Sequence, residues 1–130
     1  MNKRPLLLLV VALALVVGLA APASASGGGG DATRVSGRCT ATTVWKLKAK
    51  ARDGGLEAEF EVDSNRNRQV WSVRIVQNGS PVFNGSRTTR PPSGSFSVER
   101  NLVDNAGADR IVAIAANART GERCRGVLTV

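Results

Sequence analysis

Few side chains in this sequence can do chemistry, and their types narrow the choice. Histidine is absent. Neither a Ser-His-Asp nor a Cys-His arrangement can therefore be assembled, and the commonest neutral metal ligand is missing. Cys39 and Cys124 are the only thiols, and two thiolates without imidazole are too few for a structural zinc site. Glu57, Glu59 and Glu61 alternate with apolar residues and match the spacing of Lys46, Lys48 and Lys50. They read as solvated ion pairs, not as an acid and base flanking a scissile bond. Asp63-x-Asn65-x-Asn67 opens like a calcium loop, but Arg68 stands where the glycine is required and Arg74 where the closing glutamate should be. The expectation is no catalytic residue, no metal and no cofactor.

Two further motifs have simpler readings. Asn78-Gly79-Ser80 and Asn84-Gly85-Ser86 match the glycosylation sequon, but asparagine-glycine is a turn signal, and both are read as turns. Trp45, Trp71, Phe60, Phe83 and Phe96 are the aromatic residues. At least four fall at alternating positions that look inward, which assigns them to a core and not to a sugar platform or a base-stacking surface.

These residues are positioned by a chain that reads as exported. Lys3 and Arg4 precede an apolar run over residues 6–21, and Ala23-Ser24-Ala25 supplies a small-x-small cleavage pattern. Residues 1–25 are read as a secretory signal peptide. The run is short for a span and lacks a basic stop-transfer flank, so the mature form should carry no transmembrane segment. No cysteine lies near the cleavage point to carry a lipid. Export makes a Cys39–Cys124 disulfide the expected state. Closing a loop of that length should stabilise by about 4–5 kcal/mol. The protein is expected outside the cell or associated with the wall.

Residues 26–34, with Gly27-Gly28-Gly29-Gly30, read as a flexible linker, and residues 35–130 as one domain. Within it apolar residues recur every second position between regular turn signals, and no window keeps a helical period. From Cys39, Ala41, Thr43, Trp45, Leu47, Ala49 and Ala51 share one strand face. Asp53-Gly54 turns the chain, and Leu56, Ala58, Phe60 and Val62 return along the same side. A two-residue loop there pairs Lys50 with Glu57, Lys48 with Glu59 and Lys46 with Glu61; a Gly54-Gly55 loop shifts the pairing by two. Five more strands are expected over residues 69–77, 81–88, 95–100, 110–117 and 123–130. The 110–117 segment is apolar on both faces, which leaves its inward side open.

The expected fold is therefore all-β: a seven-strand antiparallel sandwich, immunoglobulin-like or fibronectin type III-like, with one disulfide. Trp71 on the third strand fits it. The cysteines on the first and last strands, and the absence of any tyrosine, do not. The segments Trp45-Lys46-Leu47-Lys48-Ala49-Lys50, Asp53-Gly54-Gly55-Leu56, 62–71 and 117–124 give the chain a layout that resembles small exported immunoglobulin-like proteins of GC-rich Gram-positive bacteria. That resemblance implies fold and compartment; the group has no assigned activity, so it implies no mechanism.

Charge adds the last element. The formal charge is +8, and loss of Lys3 and Arg4 leaves +6, carried by 13 arginines and three lysines against 10 acids. In a seven-strand sandwich alternate loops gather at one end. That collects Arg66, Arg68, Arg87, Arg90, Arg119 and Arg123 at one tip and Asp53, Asn78-Gly79, Asp104 and Asp109 at the other. A basic tip favours an anionic cell-wall polymer or another extracellular polyanion, with no specific nucleic acid among its partners. The expected function is a monomeric, non-enzymatic binding or structural module at the cell envelope. The alternatives are a small secreted protease inhibitor presenting Arg90-Pro91-Pro92-Ser93, or an enzyme.

Overall fold

The computed structural model describes residues 31–130. Residues 1–25, read as a signal peptide, and the glycine tract lie outside the described residues. Eight strands are formed: β1 Thr33–Arg38, β2 Val44–Arg52, β3 Gly55–Asp63, β4 Val70–Gln77, β5 Ser80–Thr88, β6 Ser95–Leu102, β7 Arg110–Ala116 and β8 Arg123–Thr129. They make two antiparallel sheets of four, ordered β1-β2-β3-β6 and β5-β4-β7-β8. The chain crosses between sheets at β3→β4, β5→β6 and β6→β7. No helix occurs among the described residues.

The β2–β3 hairpin follows from local chemistry. Asp53 and Gly54 both adopt positive φ, 52° and 78°, the type I′ geometry that matches the strand twist. Arg52 then pairs with Gly55, and the register runs Lys50↔Glu57, Lys48↔Glu59, Lys46↔Glu61, Leu47↔Phe60 and Trp45↔Val62. Of the two registers open to the sequence, the Asp53-Gly54 loop is the one adopted. Asn78 and Gly79, at φ 49° and 83°, close β4 onto β5 in the same way.

The expected seven strands become eight because β1 precedes the first expected strand. Thr33 and Arg34 already belong to it, inside the segment read as linker. Its sequence, Thr-Arg-Val-Ser-Gly-Arg, offers one large apolar residue and so no alternation to detect. Residues 39–43, read as the start of the first strand, instead form an irregular turn. Cys39 N–H donates to Thr43 O at 2.8 Å. Thr43 N–H and Oγ1 both donate to the Glu122 carboxylate at 2.8 Å, a geometry that turns this backbone away from a straight ladder. Cys39 therefore lies just after β1, and its disulfide to Cys124 ties that turn to β8. Asn84-Gly85, read as a turn, lies inside β5. A Cβ at Gly85 would stand 3.0 Å from Phe83 Cζ, a tight contact with the end of that ring.

The core forms between the sheets from Leu47, Phe60, Val62, Trp71, Val73, Ile75, Val98, Ile111 and their neighbours. Trp71 is fully buried beside Phe96. Its indole N–H is the one buried side-chain polar atom without a partner among the described residues. In β7, Ile111, Ala113 and Ala115 face inward, which settles the side the sequence left open. Each open edge of the sandwich is closed by one aromatic ring. Trp45 lies between Gly37 of β1 and Gly126 of β8. On the other edge Phe83 of β5 sits beneath the guanidinium groups of Arg87 and Arg100, 4.8 Å and 4.5 Å from the ring centre.

Candidate anion-binding site

The loops carrying the expected arginines are the connections β3→β4, β5→β6 and β7→β8, and their backbones are knitted together. Ser64 N–H donates to Gly94 O at 3.0 Å, Arg68 N–H to Thr89 O at 2.8 Å and Thr89 N–H to Gln69 O at 2.9 Å. Thr89 Oγ1 donates to Arg66 O and accepts from Gln69 N–H at 2.9 Å. Gly94 is pressed against Arg66, where a Cβ would stand 2.3 Å from the Arg66 nitrogen. The third loop joins through Asn117 Nδ2, which donates to Gln69 Oε1 at 3.0 Å. The chain needs polar residues at these places because the loops leave backbone donors and acceptors unpaired by any ladder.

Each arginine is then placed by its element. Arg66 and Arg68 are exposed in the first loop, Arg90 in the second and Arg119 in the third. Arg68 holds φ at 59°, the left-handed region a long side chain avoids, fixed there by its bond to Thr89. Arg87 departs from the expected tip: it lies within β5, half-buried, over Phe83, with Nη1 donating to Ser86 O at 2.9 Å. Arg123 is the first residue of β8, where Arg123 N–H donates to Thr40 Oγ1 at 2.9 Å. Between Arg87 and Arg90 a recess of about 270 Å³ is lined also by Thr88, Ser95, Phe96 and Ser97. Two arginines and three hydroxyl-bearing residues around such a space suit an oxyanion. A second recess, of about 320 Å³, runs from Thr42 and Val44 to Asp63, Ser64, Asn65 and Arg66.

Among the described residues the ion pairs lie on the hairpin: Lys46–Glu61, Lys48–Glu59, Lys50–Glu57, and Arg52 with Asp53 and Glu57. None involves Arg66, Arg68, Arg87, Arg90, Arg119 or Arg123. Glu122, the carboxylate beside Arg123 in sequence, is buried and held by Thr43. Burial works against ionisation of Glu57, but hydrogen bonds and charge from Arg52 and Lys50 outweigh it and hold the carboxyl below its ordinary value.

The opposite end is built around Asp109, which is fully buried. Its carboxylate accepts from Asn105 Nδ2 at 2.7 Å, Asn105 N–H at 3.0 Å, Gln77 Nε2 at 2.9 Å and Asn78 Nδ2 at 2.7 Å. Hydrogen bonding, led by the Asn105 side chain and opposed by burial, holds its carboxyl below the usual value. Asn78 Oδ1 also accepts from Arg110 N–H at 2.8 Å, so both ends of this sequon amide are used within the fold. Arg100, which completes the cover over Phe83, was not singled out by sequence reasoning. Its cue is an arginine at an alternating position on the strand that borders β5 across the sandwich.

Comparison with protein-family models, with curated proteins and with solved structures returns no match.

Proposed function

We propose that the chain is an exported, non-enzymatic binding module at the cell envelope, of immunoglobulin-like fold, whose loop end binds anionic polymers. The fold reading is supported by strand order. β2-β3-β6 against β5-β4-β7-β8 follows the arrangement of A-B-E against C′-C-F-G in such sandwiches, with β1 added outside A. The absence of histidine and the use of Glu57, Glu59, Glu61, Asp109 and Glu122 in pairing and hydrogen bonding support a binding role over catalysis.

One observation carries the functional reading. Three hydrogen-bonded loops display Arg66, Arg68, Arg90 and Arg119 with no carboxylate within 4.0 Å among the described residues. Guanidinium groups donate in a planar fork that matches phosphate. Phosphate-bearing wall polymers are therefore the favoured partner, and the recess beside Arg87 and Arg90 is the favoured place for one phosphate group.

The test is retention on purified cell walls across a salt series. Binding should weaken steeply with salt, because charges screen over about 8 Å at physiological ionic strength. Arg66→Ala, Arg68→Ala and Arg90→Ala together should abolish it. Lys46→Ala, Lys48→Ala and Lys50→Ala together should matter much less. Equal loss in both triple variants would show that net charge alone drives adhesion.

A further inference from the structure

The β5-β4-β7-β8 sheet contains no aspartate or glutamate in any of its four strands. All five strand carboxylates, Glu57, Glu59, Glu61, Asp63 and Glu99, belong to the other sheet. Alternate residues point to opposite faces, and the inward set here is Trp71, Val73, Ile75, Ile111, Ala113, Ala115, Cys124 and Leu128. The outer face is therefore set by the register. Arg74 is paired with Ile114 and Ile114 with Arg125; Ser72 with Ala116 and Ala116 with Arg123; Val76 with Val112 and Val112 with Val127; Arg110 with Thr129. Arg74, Arg110, Arg123 and Arg125 are exposed. Among the described residues none has a carboxylate within 4.0 Å.

Strand spacing puts Arg74 and Arg125 about 10 Å apart across the sheet and Arg123 about 7 Å from Arg125 along β8, with Arg110 about 14 Å along from the Ile114 row. The charges thus form a two-dimensional array around an apolar middle of half-buried Val76, Ile114 and Val127, with buried Val112 between them. A single polymer strand would follow a line of cations. A second copy of the same face would bring arginine against arginine. A planar anionic surface meets the whole array at once, and its mobile headgroups require no matched spacing. The apolar middle rests on it without stripping water from buried polar groups.

We propose that this sheet face docks flat on an anionic lipid bilayer, with Arg74, Arg110, Arg123 and Arg125 as the headgroup contacts. The face meets the loop end at Arg123, the first residue of β8, but Arg66, Arg68, Arg90 and Arg119 lie on the loops, so one molecule can lie on the membrane and keep those four for a polymer.

The test is co-sedimentation of the purified, oxidised protein with vesicles of phosphatidylcholine containing increasing phosphatidylglycerol. Any binding by the N-terminal segment, which carries Lys3 and Arg4, is common to parent and variants and cancels in their comparison. Each cation near an anionic surface is worth roughly fivefold in affinity. Arg74→Ser with Arg125→Ser should therefore lower phosphatidylglycerol-dependent binding at least about tenfold, while Arg74→Lys with Arg125→Lys retains most of it. The triple variant Arg66→Ala, Arg68→Ala, Arg90→Ala should stay within about twofold of the parent. These sites are exposed, and an unchanged melting temperature checks the fold. Lack of phosphatidylglycerol dependence, or equal loss in the sheet-face and tip variants, overturns the proposal. So does a sheet-face variant that keeps vesicle binding but loses soluble polyphosphate. Cell-wall retention by the tip is a separate measurement and stands or falls independently.

Discussion

Gly126 on β8 lies against the indole of Trp45 on the facing sheet, so closely that a Cβ at Gly126 would stand 2.6 Å from Trp45 Cζ3. Gly37 on β1 stands against the same ring, where a Cβ would be 2.7 Å from Cζ2. The indole is slotted between two strands that must carry no side chain at these points, and its N–H donates to Arg38 O at 3.3 Å.

Gly126→Ala should therefore destabilise by about 1–3 kcal/mol through overpacking, read as a lower urea midpoint at unchanged m-value. A smaller ring should relieve it: Gly126→Ala with Trp45→Phe should cost less than the two single changes summed. Additive costs would mean that the ring and the glycine do not oppose each other.

The Cys39–Cys124 bond encloses residues separated by 85 in sequence. Replacing both cysteines with alanine should lower unfolding free energy by about 4–5 kcal/mol in the chain-entropy account. Alkylation of the unreduced protein should modify neither cysteine, and labelling of both by mass spectrometry would refute the bond.

Asp109 links folding to pH. Its carboxyl is held below the ordinary value of 3.8 in the folded state. The stability it contributes is thus complete above the unfolded value and is lost as pH falls from there toward the folded value. Asp109→Asn should lower the thermal midpoint at neutral pH and flatten the decline below about pH 4. An acid limb as steep as the parent's would show that other carboxylates govern it.

Arg68 separates conformation from charge. Its φ of 59° costs an L-residue about 1–2 kcal/mol, a cost glycine does not carry. Arg68→Gly should leave stability unchanged or raised while weakening retention on cell walls. Loss of stability together with retention would mean that the side chain is structural.

Glu59 and Glu99 stand directly opposite across β3 and β6, and Lys48 reaches only Glu59, at 2.7 Å. Glu99→Thr should stabilise by a few tenths of a kcal/mol, since like charges across a ladder oppose pairing. A lower midpoint in chemical denaturation would contradict that reading.

Local rules made much of this legible. Alternation along β2, β3, β4 and β6 marks inward sides because a strand has a period of two. Asp53-Gly54 and Asn78-Gly79 mark hairpins because both positions need positive φ, and the turn length then sets which lysine meets which glutamate. The gathering of alternate loops is a consequence of successive strands running in opposite directions, and the bonds from Thr89 to Arg66, Arg68 and Gln69 follow from it. β1 left no such mark. Its six residues are an exposed edge whose purpose, making room at Gly37 for Trp45, exists only once another strand supplies the ring.

The sequence by itself determined the strand periods, the two tight turns and the excess of arginine, since each depends on residues close in the chain. Tertiary structure alone decided the rest. Arg87 is drawn from the loop onto the end of β5, over Phe83 four residues back on the same strand. Glu122 is withheld from Arg123 because Thr43, 79 residues away, donates both its N–H and its hydroxyl to that carboxylate. Arg74, Arg110, Arg123 and Arg125 come from three strands, and only the order β4-β7-β8 puts them on one face. Hydrogen bonding between strands distant in sequence sets that order, and it turns an overall positive charge into a surface without a counter-charge.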